Sequence, residues 1–156
     1  MTSYMPKESR GFSLIELLVV IAIISILSGV VLASVQMARE KGRDAAVKSD
    51  VDAIVTQTNI YYENNGNTYG TAVNSCTAGV YSDHTITNGL QAIQNTFNAG
   101  GTEACYAAGE SYAFAVSRPS SQLYTPDSTY WCADSTGKKC GINDLAPLSS
   151  SGSCGC

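Results

Sequence analysis

The stretch GFSLIELLVVIAIISILSGVVLASV, Gly11 to Val35, decides how this 156-residue chain is organised. From Phe12 onward it is apolar or small, apart from one charged residue, Glu16, near its start. Between Leu17 and Val35 it contains neither a charge nor a proline. A helix of about 20 residues, rising about 1.5 Å per residue, is long enough to cross the hydrocarbon core of a bilayer. The stretch therefore predicts a membrane-spanning helix.

Glu16 is the sharpest candidate functional residue of the chain. A charged side chain near the bilayer centre costs roughly 2.5 to 3.5 kcal/mol on an insertion scale, and less near an interface. A carboxylate in such a segment is therefore read first as a functional group whose partner must be found. The competing interpretation is that Glu16 lies at the headgroup level and is solvated.

Four features of the N-terminal part fall in register: a basic leader with Lys7 and Arg10, a Gly11-Phe12 junction, Glu16, and an apolar run of spanning length. Together they resemble the processing site of the type IV pilins and of the pseudopilins of type II secretion systems. The resemblance is confined to the N-terminal part of the chain, and the remainder matches no family pattern in the same way.

The resemblance implies a maturation pathway. In that family a prepilin peptidase cleaves after the glycine, here Gly11, and methylates the new amine, here that of Phe12. The glutamate five residues into the mature chain, here Glu16, is implied to pair with the amine of Phe12 on a neighbouring subunit and to set the axial register. Two groups that are costly to leave bare in lipid would thereby offset each other.

The implied function is that of a structural subunit of a type IV pilus or pilus-like filament, without catalysis and without a cofactor. Its implied partners are identical or related pilin subunits, the prepilin peptidase/methylase and a membrane assembly platform. Before assembly the chain is expected in the cell membrane as a single-pass protein with its head outside. Afterwards it is expected in an extracellular or envelope-spanning filament.

Three alternatives stay open. A pseudopilin of a type II secretion or DNA-uptake machine is favoured slightly by Ala33, because many major pilins carry a proline at that place. An ordinary secretory signal peptide would be cleaved after the small-residue site at Val31 to Ala33. A tethered or secreted disulfide-bonded binding module would form no polymer. The start of the chain, at Met1 or Met5, is also left open.

Composition sets further bounds. The net charge is −4, and removing Lys7, Glu8 and Arg10 with the leader takes away a net +1, which gives −5 for the mature chain. No basic patch beyond the membrane flank suggests nucleic acid as a partner. The six cysteines all follow residue 75, which fits an oxidising exterior and disulfides. A head this small benefits from such covalent links.

The segment that follows the apolar run predicts an amphipathic continuation of the same helix. Apolar positions recur at spacings of three and four from Val47 to Tyr61, and Asn64-Asn65-Gly66 is a helix stop. The charges between Arg39 and Asp52 are interpreted as a solvated face. The predicted organisation is a leader, a membrane or filament-core half-helix, an amphipathic half-helix and a disulfide-bearing head, at 1-11, 12-35, 36-64 and 65-156.

The head predicts a mixture of short elements. Ile86, Leu90, Ile93 and Phe97 indicate a short helix over 85–98, capped by Thr87 or Asn88 and ended by Gly100-Gly101. Strands are predicted over 111–117, 129–133 and 139–142. The predicted fold class is α+β, a long N-terminal helix packed on a small antiparallel β-sheet with a short extra helix.

The cysteines are candidates for disulfides rather than for metal binding. No CxxC spacing occurs, and His84 is the only histidine, so neither a metal site nor a redox motif is predicted. Six cysteines allow 15 pairings. The preferred pairs are Cys76 with Cys105 and Cys132 with Cys140. Cys154 and Cys156 either reach back to the head or stay free.

Overall fold

The computed structural model describes residues 11–96, 103–120 and 124–156, without the side chains of residues 149–151. The chain divides into two compact units, Met1–Gln36 and Met37–Cys156. Helix α1, Leu14–Asn64, is continuous over 51 residues and contributes to both units. The prediction of one unbroken helix is therefore confirmed.

The second unit contains a four-stranded antiparallel sheet whose strands lie in sequence order. The strands are β1 (Glu103–Ala108), β2 (Ser111–Ser117), β3 (Tyr130–Asp134) and β4 (Lys139–Ile142). A 3₁₀ turn, Gly79–Ser82, precedes helix α2, His84–Thr96, and helix α3, Ala146–Ser151, follows the sheet. The α+β class predicted from the sequence is confirmed.

One face of the sheet carries the main core. Strand β2 alternates large and small side chains, and its large residues Tyr112, Phe114 and Val116 are buried against the helices. The helices supply apolar residues at helical spacing, namely Val47, Val51 and Ile54 from α1 and Ile86, Leu90 and Ile93 from α2. Because a strand alternates its side chains between two faces, this pattern directs the bulky residues toward the helices.

The opposite face of the sheet is covered by the C-terminal segment. Ala113 and Ala115 of β2 point to this side, where they cluster with Ile142, Leu148 and Cys154. Small residues leave only a shallow surface, and the short helix α3 and the tail cover it. Both faces of β2 are thus buried, as its burial pattern shows.

The ends of α1 and α2 follow local sequence signals. Helix α1 ends at Asn64, and Gly66 and Asn67 take the left-handed conformation that commonly terminates a helix, with φ of 71° and 60°. The start of α2 differs from the prediction. Asp83, and not Thr87 or Asn88, accepts hydrogen bonds from the first backbone N–H groups of α2, at 3.0 and 3.4 Å. The predicted stop at Gly100-Gly101 lies outside the described residues.

Strand β1 is the element that the sequence analysis missed. Its sequence, EACYAA, is rich in alanine and contains glutamate, both of which are depleted in strands. It forms through its full antiparallel register with β2 and through the disulfide at Cys105. Tertiary pairing therefore overrides a weak local preference here.

The structure contains three disulfides, Cys76–Cys105, Cys132–Cys154 and Cys140–Cys156. The first is the pair preferred from the sequence. The second preferred pair, Cys132–Cys140, is not formed, although the two residues stand opposite each other on β3 and β4. Opposite Cβ atoms in an antiparallel pair lie about 4.5–5.5 Å apart, whereas a disulfide usually needs about 3.5–4.5 Å.

The tail solves this geometry with a Cys-Gly-Cys sequence. Cys154 and Cys156 each reach one of the two neighbouring strands, so that the tail is linked to both. Gly155 between them has a φ of 67°, and a Cβ at that position would lie 3.0 Å from the Pro147 side chain. Only glycine meets both requirements without strain.

Digestion of the non-reduced protein with trypsin and Asp-N is expected to leave three peptides joined: residues 127–133, 140–143 and 144–156. This follows because Cys132 and Cys140 each bond to the tail. Mass spectrometry before and after reduction provides the measurement. Recovery of 127–133 joined to 140–143 alone, with 144–156 free, would contradict the tail linkage and restore the Cys132–Cys140 pair.

Candidate processing and assembly site

The predicted cleavage junction lies immediately before α1. Gly11 and Phe12 are both exposed, with 80% of Phe12 accessible, and the helix begins at Leu14. A peptidase requires an extended and accessible backbone at the bond that it cleaves. The junction has both properties because it precedes the first helical turn.

Ser13 and Glu16 form a capping box at the start of α1. The Ser13 backbone N–H and hydroxyl both donate to Glu16 Oε2, at 2.9 and 2.7 Å, and the Glu16 backbone N–H donates to Ser13 Oγ at 3.3 Å. This reciprocal arrangement satisfies backbone donors that have no partner within the helix. It also places a carboxylate at the positive end of the helix dipole.

The sequence analysis missed this capping role, although the signal was present. A Ser-x-x-Glu sequence directly before an apolar run is the signature of a capping box. Glu16 was assigned only an intermolecular partner, whereas within the chain its carboxylate already accepts two hydrogen bonds from Ser13.

The first part of α1 is apolar on every side and long enough to cross a membrane. None of its side chains from Leu14 to Gln36 is buried within the chain. Its three serines, Ser25, Ser28 and Ser34, donate their hydroxyls to carbonyl oxygens one turn earlier, at 2.7, 2.7 and 3.0 Å. These internal bonds leave no hydroxyl donor unpaired in an apolar environment.

A family model of the prokaryotic N-terminal methylation motif matches residues 6–32. The chain carries the signature of the type IV pilins and pseudopilins. Pilin-type proteins with this motif are structural rather than catalytic, and the signature fits membrane anchoring by the N-terminal helix before assembly. No curated protein and no solved structure matches the chain significantly.

The pilin-type motif spans all the N-terminal residues singled out above. Gly11, Phe12 and Glu16 fall within the matched range and are described by the structure. Lys7 and Arg10 also fall within the matched range but lie outside the described residues. Cleavage, methylation and the pairing of Glu16 remain predictions, which are taken up under Proposed function.

A second polar site fixes this pilin-type head to its helix. Asp44 of α1 is buried, and its carboxylate accepts four hydrogen bonds from the head. Arg118 donates two of them, from Nε at 2.9 Å and Nη2 at 2.6 Å. The Tyr124 hydroxyl and the Trp131 indole donate the others, at 2.8 and 2.9 Å. Asp44 therefore joins the end of β2, the β2–β3 connection and β3 to one turn of α1.

The surroundings of Arg118 explain why this buried pair is tolerated. Its guanidinium lies over the Trp131 ring, 4.3 Å from the ring centroid, and also contacts Asp127 and the Ser128 hydroxyl. Burial raises the pKa of Asp44, but the hydrogen bonds from Arg118, Tyr124 and Trp131 outweigh burial and hold that pKa below its ordinary value. The pair is thus fully charged at neutral pH.

The sequence analysis placed Asp44 on a solvated face, which is wrong for this residue. Asp44 lies three residues before Val47 and seven before Val51, so it shares their buried face. A signal for its partner was also available, because Arg118 is the only arginine that follows α1. An acidic residue on an apolar helix face and a lone arginine in the head together indicate a buried pair.

The described residues contain no group of three or more His, Cys, Asp or Glu side chains that could hold a metal ion. Their cysteines are all in disulfides. The geometry of the described part of the chain is thus that of a covalently linked head on a helix.

Replacing Asp44 with alanine is expected to lower the free energy of unfolding of the head by about 3–5 kcal/mol, because it leaves the buried Arg118 without its counter-charge. Chemical denaturation followed by tryptophan fluorescence measures this, since Trp131 is the only tryptophan. The matched control is Asp52→Ala, which breaks the exposed pair with Lys139 and should cost at most about 1 kcal/mol. Equal effects of the two substitutions would show that the Asp44 pair is not the stabilising contact.

Proposed function

We propose that this protein is a structural subunit of a type IV pilus or pilus-like filament, cleaved after Gly11, methylated on Phe12 and assembled through α1. The observation that carries the proposal is the methylation motif at residues 6–32, which coincides with a helix segment that is exposed and apolar on every side. An apolar surface of this extent has to be covered. Lipid covers it before assembly, and neighbouring subunits cover it in the filament.

Glu16 is proposed to pair with the amine of Phe12 on a neighbouring subunit. Within the chain its carboxylate has only Ser13 as a hydrogen-bond donor, and Ser13 carries no charge. Cleavage creates a cationic amine at Phe12, which is equally costly to leave unpaired in an apolar environment. Bringing the two charges together between subunits offsets both costs and favours one axial register.

The second half of α1 offers a surface for such packing. Its side opposite the buried residues Val47, Val51 and Ile54 is exposed and carries only small uncharged residues. We call this side the outer face; it consists of Ala38, Gly42, Ala45, Ser49, Ala53 and Thr56. An exposed helix face normally carries charged residues. Small residues at spacings of three and four permit the backbones of two helices to approach closely.

Gly42 supports this interpretation of the outer face. Nothing in the chain lies within 4 Å of the position where its Cβ would stand. A glycine inside a helix costs about 0.5–1 kcal/mol relative to alanine. No contact within the described chain requires that cost, whereas close approach of a neighbouring helix would.

The proposed partners are other pilin subunits, the prepilin peptidase/methylase and a membrane assembly platform. The head is proposed to lie outside the membrane, where an oxidising environment maintains its three disulfides. Neither nucleic acid nor a cofactor is assigned to it.

A pseudopilin of a secretion or DNA-uptake machine is the second candidate. The observation that favours it is Ala33, which stands where many major pilins carry proline and which lies inside the unbroken helix α1. A helix without proline keeps all its backbone hydrogen bonds and has less tendency to kink or open locally. Recovery of the protein in a sheared surface fraction would favour the pilus, and retention in the membrane would favour the pseudopilin.

Glu16→Gln and Ser13→Ala separate the two roles of the N-terminal site. Glutamine can still form the capping box but carries no charge, whereas Ser13→Ala removes the cap and keeps the charge. We expect Glu16→Gln to abolish incorporation into filaments and Ser13→Ala to retain it. Incorporation is measured by immunoblotting of the sheared fraction.

Intact mass of the membrane-bound protein provides the control for maturation. In the wild type and in both variants we expect a chain that begins at Phe12 and carries one added methyl group. Normal incorporation of Glu16→Gln would refute the charge pairing. A mature chain that begins at Ser34 would refute the pilin proposal as a whole.

Enlarging a side chain on the outer face is expected to block assembly without unfolding the head. Ala53→Leu adds volume at an exposed position, so its effect on the free energy of unfolding should stay within about 0.5 kcal/mol. Incorporation into filaments should fall at least about tenfold if helices pack there, as expected from overpacking. The matched control is Ala72→Leu, the same change at an exposed position outside α1. Unchanged incorporation of Ala53→Leu would exclude the outer face from the subunit interface.

A further inference from the structure

A cavity of about 510 Å³ lies beside β1 in the head, away from α1. Its wall is formed by Glu103, Ala104 and Cys105 of β1, the loop residues Asn74 to Cys76, and Gln94 of α2. Leu145 and Leu148 close the remaining side. The volume falls within the range of about 300–1,000 Å³ that is typical of small-molecule sites.

Uncharged hydrogen-bonding groups converge on this cavity from separate elements. Asn74 and Gln94 each supply a carboxamide, and Ser75 supplies a hydroxyl. The disulfide Cys76–Cys105 and the two leucines supply apolar surface. The residues that line the cavity include no lysine, arginine or histidine.

Glu103 is the unusual member of this set. Its Oε1 atom is buried and has no hydrogen-bond partner among the described residues. Burial raises the pKa of Glu103, and a hydrogen bond from Gln94 offsets only part of that effect. A buried acceptor without a donor costs free energy, and such a group in a native structure calls for an explanation.

We propose that this cavity binds a neutral saccharide. A sugar presents hydroxyl groups that both donate and accept hydrogen bonds, which matches two carboxamides, a hydroxyl and a carboxyl group. A hydroxyl from the sugar would supply the donor that Glu103 lacks. The carbon-bound hydrogens of the sugar would contact Leu145, Leu148 and the disulfide.

The same cavity suits an anionic ligand poorly and a cationic ligand less well than a neutral one. No cation lines it to receive a phosphate or carboxylate. An amine would find one carboxyl group, but burial disfavours the charged form that an amine needs. The inference concerns the head alone and does not depend on assembly into a filament.

The test uses the full mature chain, labelled with ¹⁵N, in micelles of a zwitterionic detergent that has no sugar headgroup. The probes are three neutral disaccharides: N,N′-diacetylchitobiose, lactose and maltose. The side-chain amide signals of Asn74 and Gln94 are followed by NMR. We expect at least one probe to shift these signals saturably, while the signal of Gln57, in a separate groove, stays unchanged.

Substitutions at Glu103 and Gln94 give the specific readout. Glu103→Gln preserves a neutral hydrogen-bonding group and should keep the dissociation constant within about threefold, whereas Gln94→Ala and Glu103→Leu should raise it at least about tenfold through lost hydrogen bonds. Thermal melts verify that each variant is folded, and Glu103→Gln serves if Glu103→Leu is not.

Two outcomes would overturn the proposal. The first is the absence of a saturable shift with all three disaccharides, or a shift that Gln94→Ala leaves unchanged. The second is binding of an amine probe, putrescine, that Glu103→Gln abolishes, which would assign the cavity to amines instead. Either result leaves the assembly tests of Glu16 and Ala53 unaffected.

Discussion

The buried carboxylate of Asp44 is the contact through which the head holds its helix. Four donors from three parts of the head meet at its two oxygens: the end of β2, the connection after it and β3. An apolar helix face alone would allow the sheet to shift along α1 by a turn at modest cost, since valine and isoleucine pack without strong direction. A buried charge with directional bonds has only one position in which it is satisfied. The ion pair therefore selects the register of the sheet on α1.

Polar groups elsewhere in the chain follow the same rule that each must have a partner. Asp134 is buried at the end of β3 and accepts hydrogen bonds from Thr136 and from the backbone N–H of Cys154, at 2.6 and 2.9 Å. The pKa of Asp134 is raised by burial and lowered further by these bonds, so that the net pKa is below its ordinary value. One carboxylate thus organises the β3–β4 turn and also the docking of the tail. Glu103, with one oxygen unpartnered among the described residues, departs from this rule.

Local signals explain how much of this fold the sequence predicts. The stop at Asn64 and the strands at 111–117 and 139–142 agree with the structure because turn residues and side-chain alternation act over a few positions. Strand β1 and the tail disulfides depend on partners far along the chain, so no local pattern specifies them. At the candidate site, the motif around Glu16 is readable from spacing. The capping role of Ser13 was readable in the same way and was overlooked, whereas Asp44 needed the helix face and Arg118 to be considered together.

The two sides of α1 in the head region make different demands on the sequence. The side that carries Val47, Val51 and Ile54 needs bulk, because it fills the space between helix and sheet. The outer face needs the absence of bulk if other helices are to approach it, and small residues from Ala38 to Thr56 provide this. Small residues add little to the stability of a single subunit, and Gly42 lowers it. Their placement therefore has its physical reason in contacts between chains, which is why the proposed assembly, and not the stability of the head, accounts for this half of the helix surface.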